Sequence, residues 1–132
     1  MPALPTTGKR GGDGMAVNSK QKGARFERQL AALFREYGYR DSRRTAQYCG
    51  NTGDASDVVG LPYIHCEAKH QETMRLYDWV EQAKRDAAAS DCERLPAVFH
   101  KKNNAEILVT MPLDAWMQLY KEFEAGRGEQ NG

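Results

Sequence analysis

The octapeptide YIHCEAKH, residues 63–70, constrains the fold more than any other part of the chain. Alternation along a β-strand would place two sets of side chains on opposite faces. The apolar set is Ile64, Cys66 and Ala68. The polar set is His65, Glu67 and Lys69. Apolar residues precede this strand and a short linker to a helix follows it, which indicates a central strand covered on both faces. Charged residues on a covered strand are costly, so they need a partner or a function.

Length and composition favour one compact globular domain. The chain has 132 residues, of which 40% are apolar and 28% are charged. No apolar run approaches the ~20 residues that cross a bilayer, so nothing suggests a membrane protein. The N-terminus lacks the apolar core of a secretory signal and contains much Gly, Pro and Thr. We therefore predict disordered tails over residues 1–18 and 125–132 around a domain over residues 19–124.

The cysteines predict a reducing compartment. Cys49, Cys66 and Cys92 are odd in number and none forms a C-x-x-C pair. We expect three reduced thiols and a cytosolic protein, with Cys66 acting as a small buried hydrophobic residue.

Charge is distributed unevenly along the chain. Residues 1–44 carry ten Lys or Arg and four Asp or Glu, a net charge of +6, whereas residues 45–132 have a net charge of −5. The basic part could face a polyanion such as nucleic acid, although a run of charge is more often only a solvated surface.

Three helices are predicted from apolar residues at helical spacing. The first begins near Ser19, with Ser19 or Asn18 as its cap, and ends at Gly38. Its apolar stripe is Phe26, Leu30, Leu33, Phe34 and Tyr37. The second covers residues 73–89, with the stripe Leu76, Trp79, Val80, Ala83 and Ala87. Thr110 can cap the third, whose expected buried stripe is Leu113, Trp116, Met117 and Tyr120.

Strands are predicted between these helices. A short strand can open the polar segment 40–56, and residues 57–70 read as two antiparallel strands divided by Gly60, Leu61 and Pro62. The segments LPAVFHKK and EILVTM form another pair around a turn at residues 102–104. The order of elements predicts an α/β fold with a mixed central β-sheet flanked by helices.

Four charged residues from three elements form the candidate site. Glu27 lies on the flank of the first apolar stripe, where a carboxylate needs a partner; pairing with Arg28 or Arg35 is the simpler alternative. Asp57 abuts an apolar strand, and we prefer it to Asp54, which follows Gly53 in a turn-like setting. The other two are Glu67 and Lys69, which could also form a plain salt bridge on a solvated face.

These residues together indicate metal-assisted phosphodiester hydrolysis. Asp57 and Glu67 on neighbouring strands can hold a divalent metal through hard oxygen ligands, completed by the backbone carbonyl of Ala68 and by water. Lys69 would then lie beside the ion. There it can orient or help deprotonate the attacking water, or offset charge that develops on a phosphate.

The order of these motifs resembles the PD-(D/E)XK nuclease superfamily, and within it the Holliday-junction-resolvase-like nucleases, including small phage-borne ones. The matches are KGARFER at residues 22–28, DVV at residues 57–59 and EAK at residues 67–69. The resemblance covers roughly residues 19–121. Ser56 is a departure, because many relatives have proline before the aspartate.

The resemblance implies a restriction-endonuclease-like core and a metal-dependent endodeoxyribonuclease acting in a bacterial or phage-infected host cell. Mg²⁺ or Mn²⁺ would be bound by Asp57, Glu67 and the Ala68 carbonyl, and Glu27 would complete the site directly or through water. Lys69 would serve the nucleophilic water, and Gln82 would support the site from the second helix.

A nuclease must also bind phosphates along the DNA backbone, which positions DNA without reading its sequence. Candidate residues for this contact are Lys20, Lys22, Arg25, Arg28, Arg43, Arg44 and Thr45. Tyr48 is a candidate for stacking on a base. No segment looks like a base-reading module, so we expect selection of DNA structure, with branched DNA as the substrate class. Symmetric cutting of a junction calls for a homodimer.

Two alternatives remain open from the sequence. A nuclease-like fold could bind DNA or a partner protein without cutting, although clustered carboxylates would repel DNA unless a cation intervened. A zinc site built from His65, Cys66, His70 and His100 is disfavoured, because His65 and Cys66 point to opposite faces of a strand.

Overall fold

The computed structural model describes residues 11–45, 56–90 and 93–131. These residues contain three helices and five strands in the predicted order. The elements are α1 (Gly11–Glu36), β1 (Arg43–Arg44), β2 (Val58–Val59), β3 (Ile64–His70), α2 (Leu76–Ala89), β4 (Leu95–Lys101), β5 (Leu108–Thr110) and α3 (Leu113–Asn131). None of the described helices has the length and apolar character needed to span a bilayer.

The strands form one sheet in the order β1-β2-β3-β4-β5. β3 is the middle strand of the five. It is antiparallel to β2 and parallel to β4, with Glu67 opposite Val98, while β1 and β5 add antiparallel edges. The parallel pair is joined through α2, as a crossover between parallel strands requires. The predicted mixed α/β sheet is confirmed.

Helices cover β3 on both faces, as the sequence of this strand predicted. On one face α1 contributes Phe26, Leu30, Ala31 and Phe34 to a core cluster that includes Val58 and Cys66. On the other face α2 contributes Trp79 and Ala83 to a cluster with Val98. Because Glu67 lies opposite Val98, its side chain shares the α2 face. Glu67 is 2% exposed, so this carboxylate lies inside the domain.

The ends of α1 and α3 differ from the prediction. α1 begins at Gly11, eight residues before Ser19, so neither Ser19 nor Asn18 caps it. α3 continues to Asn131, through the segment predicted to be a disordered tail. Both extensions are rich in glycine and have no apolar stripe at helical spacing, so their sequences do not predict a helix. Gly38 adopts the expected left-handed conformation, with φ of 109°. Residues 1–10 lie outside the described part of the chain.

The apolar stripe of α3 is exposed, contrary to the prediction. Leu113 is 72% exposed and Trp116 is 49% exposed, and Met117 and Tyr120 are also open to solvent. Trp116 stacks on Tyr120 with ring centroids 5.2 Å apart, whereas the neighbouring Ala115 is buried. A stripe at helical spacing predicts a face suited to apolar contact, but it does not say that the same chain provides the contact.

Gly60, between β2 and β3, is required by its surroundings. Its φ is 113°, and a Cβ atom there would lie 2.5 Å from the Cα atom and 2.8 Å from the backbone nitrogen of Ser42. We expect Gly60→Ala to destabilise the protein by about 2–4 kcal/mol, from backbone strain and overlap with Ser42. Gly126→Ala is the matched control, because it meets open space in a helix and should stabilise by about 0.5–1 kcal/mol. Urea unfolding of both variants checks this, and equal midpoints would contradict it.

Candidate active site

Asp57 is fixed by backbone contacts immediately before β2. Its amide N–H donates to the carbonyl of Cys66 at 2.9 Å, and its Oδ2 accepts from the amide of Ala68 at 2.8 Å. From the end of β1, the hydroxyl of Thr45 donates to the carbonyl of Ser56 at 2.7 Å, and the amide of Thr45 donates to the carbonyl of Asp57 at 3.0 Å. The carboxylate of Asp57 is therefore held against the strand that carries Glu67.

Glu67 belongs to a buried row of polar side chains. Its Oε1 lies 3.1 Å from Nε2 of His65, and Nδ1 of His65 lies 3.0 Å from Oγ of Ser56. All three side chains are buried, and His65 is 0% exposed. The row links the residue before Asp57 to Glu67, so it runs between the two strands that carry the candidate carboxylates.

The carboxylate of Glu67 lies close enough to Asp57 to affect the ionisation of Asp57. Burial raises the pKa of Asp57 to about 7, and the negative charge of Glu67 acts in the same direction. Glu27 also raises this pKa, whereas the Ala68 hydrogen bond and the Lys69 charge lower it. A second negative charge here is unfavourable without a nearby cation. This is the electrostatic setting that a bound divalent cation relieves.

Lys69 and Gln82 meet on the α2 face of the sheet. Nζ of Lys69 donates to Oε1 of Gln82 at 3.1 Å, and both residues are half-buried. Lys69 follows Glu67 by two residues on β3, so both side chains leave the same face of the strand. The contact limits the positions available to the ammonium group of Lys69.

Glu27 lies near these residues but pairs with an arginine. Its Oε1 is 3.0 Å from Nε of Arg44 on β1, and Glu27 is half-buried on α1. The alternative pairing with Arg35 is wrong, because Arg35 donates to the backbone carbonyl of Ser42 at 2.7 Å. The charge of Glu27 still reaches the site, since it raises the pKa of Asp57.

The basic residues predicted to contact DNA fall into two groups. Four are exposed, namely Lys20, Arg25, Arg28 and Arg43. The others have partners within the protein: Lys22 lies 3.6 Å from Glu72, Arg44 pairs with Glu27, and Thr45 bonds the backbone of Ser56. Tyr48 and Asp54 lie outside the described residues.

Three residues near the site, His65, Asp86 and Ser56, were assigned no role from the sequence. One ligand atom from each of His65, Glu67 and Asp86 lies within 4.8 Å of the others. Asp86 follows Gln82 by four residues on α2, so helical spacing could have placed both on one face. The same alternation that placed Lys69 beside Glu67 also places His65 there. Ser56 was noted only as a departure from a motif, although it directly precedes Asp57.

The zinc alternative is not supported in the described part of the chain. His65 and Cys66 lie on opposite faces of β3, His70 bonds the side chain of Asn103 at 3.1 Å, and His100 bonds the hydroxyl of Thr110 at 2.8 Å. The side chains around Asp57 and Glu67 instead offer hard oxygen donors, whose mutual repulsion favours a cation. Mg²⁺ and Mn²⁺ fit this donor set.

The fold and this arrangement define a class of protein. An α/β sheet with a central E-x-K strand, next to an aspartate held by an antiparallel neighbour, is the restriction-endonuclease-like core of PD-(D/E)XK nucleases. Residues 18–128 match the model of a family described as "Phage putative PDDEXK endonuclease". The chain belongs to this family, which confirms the predicted superfamily and supports the phage connection. No curated protein and no solved structure matched the chain.

The pKa of Asp57 predicts how pH and metal act on stability. Between about pH 4 and pH 7 the folded protein holds a proton on Asp57 that the unfolded chain releases. This group therefore makes the metal-free protein less stable as pH rises through that window, with no further change above it. We expect Mg²⁺ to raise the melting temperature more at about pH 8 than at about pH 5, because the ion competes with this proton. Thermal denaturation with and without Mg²⁺ at both pH values measures this, and an equal response would contradict it.

Proposed function

We propose that this protein is a metal-dependent DNA endonuclease that hydrolyses phosphodiester bonds in structured DNA, in the manner of Holliday-junction resolvases. One observation carries the proposal. Paired strands hold Asp57 against the strand of Glu67, and Lys69 leaves the same face two residues later, in contact with Gln82. A buried acidic pair with an adjacent positioned lysine has no evident use in packing, but it suits the hydrolysis of a phosphate ester.

The proposed roles follow from these positions. Asp57, Glu67 and the Ala68 carbonyl bind Mg²⁺ or Mn²⁺, and Glu27 completes the site directly or through water, since Arg44 contacts only its Oε1. The ion, when bound, polarises the phosphate and lowers the pKa of coordinated water.

Lys69 is proposed to act on the attacking water. Its ammonium group orients this water or helps to remove its proton, and it offsets the negative charge that develops at the phosphate. Gln82 fixes Nζ for this purpose through the contact at 3.1 Å. Water attacks phosphorus in line with the departing oxygen, so one P–O bond forms as the opposite P–O bond breaks.

DNA is proposed to bind along the basic side chains of α1 and β1. The exposed residues Lys20, Arg25, Arg28 and Arg43 are free to contact phosphates. Lys22 can join them, because its ion pair with Glu72 is long, at 3.6 Å, and partly exposed. Arg44 and Thr45 have contacts inside the protein, so we propose that they help to place the DNA by fixing Glu27 and the Ser56–Asp57 backbone.

Branched DNA and a homodimer form part of this proposal. Resolving a four-way junction requires two symmetric cuts, which two copies related by a two-fold axis can make. The exposed apolar face of α3 is compatible with self-association. The cytosolic location stays a prediction; Cys66 is a free, buried cysteine, while Cys49 and Cys92 lie outside the described residues.

Cleavage assays on a set of DNA substrates test the function. Four-way junctions, flaps, single strands and plain duplexes should be incubated with Mg²⁺ and the wild type, Lys69→Ala or Asp57→Ala. We expect the wild type to prefer branched DNA and both variants to be inactive. Absence of cleavage by the wild type, with DNA binding retained, would identify an inert nuclease-fold module instead.

A further inference from the structure

We propose that His65 is a positioning residue that orients the Glu67 carboxylate for metal binding, through hydrogen bonds that continue to Ser56. This inference rests on the proposed metal-dependent function. Its basis is the buried row described above, in which each ring nitrogen of His65 has one partner: Oγ of Ser56 at 3.0 Å and Oε1 of Glu67 at 3.1 Å.

The direction of the hydrogen bonds follows from the chemistry of the two ends. An ionised carboxylate only accepts hydrogen bonds, so Nε2 of His65 must carry the proton in its contact with Glu67. In a neutral ring Nδ1 is then an acceptor, and the hydroxyl of Ser56 donates to it. The row therefore runs from the Ser56 hydroxyl through the imidazole to the carboxylate, and it fixes the tautomer of His65.

The contact with His65 uses Oε1 of Glu67, and no residue in the described part of the chain hydrogen-bonds to Oε2. With Oε1 bound to His65, rotation of the carboxylate is restricted, and Oε2 keeps its direction relative to the backbone of β3. Ser56 directly precedes Asp57, so the same row also links the backbone of one candidate ligand to the side chain of the other. Partners of this kind, one bond removed from a metal, typically change metal affinity by 10–100-fold.

A direct metal-binding role for His65 is the competing explanation. Its ring lies in a group with Glu67 and Asp86 whose ligand atoms are within 4.8 Å of one another. Binding a metal through Nε2 would require loss of the proton donated to Glu67, in a ring that is 0% exposed and already satisfied at both nitrogens. The two explanations differ in what they require of residue 65: a hydrogen-bond donor in one case, a metal ligand in the other.

Calorimetric titration of Mn²⁺ into full-length variants separates these roles. In His65→Gln the side-chain amide nitrogen can replace Nε2 as the donor to Glu67. His65→Leu removes the donor and fills the buried space with an apolar side chain. We expect His65→Gln to bind Mn²⁺ within about 3-fold of the wild type and His65→Leu to bind about 10–100-fold more weakly. Asp86→Asn should bind like the wild type.

Several outcomes would overturn the proposal. If His65→Leu binds Mn²⁺ as tightly as the wild type, the contact between His65 and Glu67 does not affect metal binding. If His65→Gln and His65→Leu lose Mn²⁺ affinity equally, the imidazole ring is itself a metal ligand. An equal loss in Asp86→Asn would place the ion between His65, Glu67 and Asp86. If the wild type binds no Mn²⁺, the proposed function fails together with this inference. If His65→Leu does not fold, judged by circular dichroism, His65→Asn replaces it, since its shorter amide reaches toward Ser56 but not Glu67.

Discussion

Replacing Lys69 by alanine is expected to lower the rate of DNA cleavage by at least about 10³-fold while Mn²⁺ binding persists. The ammonium group leaves the same face of β3 as Glu67 and is fixed by Gln82 at 3.1 Å, so its loss removes a charge placed for the reaction. It also removes one favourable charge from the surroundings of Asp57, which should shift metal affinity only modestly. Single-turnover cleavage of a labelled four-way junction, with calorimetric Mn²⁺ titration in parallel, measures both quantities.

Two further variants make this result specific. Lys84→Ala is the matched control, because Lys84 lies on α2, is exposed and pairs with Glu81 at 3.6 Å. We expect it to cleave like the wild type. Gln82→Ala keeps the ammonium group of Lys69 but removes the contact that fixes it. We therefore expect its cleavage rate to fall about 10-fold, between the rates of Lys84→Ala and Lys69→Ala. Cleavage by Lys69→Ala within a few-fold of Lys84→Ala would show that Lys69 has no part in the reaction.

The central strand could be predicted from sequence because its alternating pattern lies within a few consecutive residues. Alternation within residues 63–70 gave both faces of β3, and the covering helices followed from apolar stripes on either side in the chain. Asp57 could be placed for the same reason, since a short turn brings β2 back antiparallel to β3. The arrangement around Asp57, Glu67 and Lys69 therefore follows from the number of residues between them, which can be read directly from the sequence.

Partners that come from distant segments could not be predicted in this way. Arg44 pairs with Glu27 across seventeen residues, whereas the sequence pointed to arginines on the same helix. Asp86 reaches His65 only because α2 crosses back over the sheet. The row from Ser56 to Glu67 likewise depends on which rotamer the imidazole adopts in the core, and pattern alone does not determine that. Sequence periodicity fixes faces, but the choice among partners on one face is made by packing.

The exposed stripe of α3 shows that sequence periodicity also does not determine what a whole helix packs against. Leu113, Trp116 and Tyr120 have the spacing of a buried face, and the helix forms as predicted. Whether such a face is covered depends on the rest of the fold or on another molecule, since amphipathic spacing is the same in both cases. The glycine-rich extensions of α1 and α3 are the opposite case, because residues 11–18 and 125–131 are helical without an apolar stripe.

Asp57→Asn is expected to abolish cleavage and the stabilising effect of Mg²⁺, and yet to make the metal-free protein more stable at about pH 8. Burial and the charge of Glu67 raise the pKa of Asp57 to about 7, so the ionised carboxylate is unfavourable in the folded state. Asparagine removes this charge and can still accept the hydrogen bond from the amide of Ala68. A gain of about 1–3 kcal/mol is expected without metal. Urea unfolding with and without Mg²⁺ measures both effects.

The opposite signs of these two effects distinguish a functional carboxylate from a structural one. If Asp57 serves only its contact with Ala68, neutralising it should lower the stability of the protein at about pH 8, with or without metal. A carboxylate that serves to bind a cation destabilises the folded protein until the cation binds. Its removal therefore stabilises the metal-free protein and eliminates the stabilisation by Mg²⁺. Asp41→Asn, at an exposed position, is the control and should change neither quantity. Loss of stability in metal-free Asp57→Asn at about pH 8 would mean that Asp57 serves the fold, and the metal site would then have to lie elsewhere.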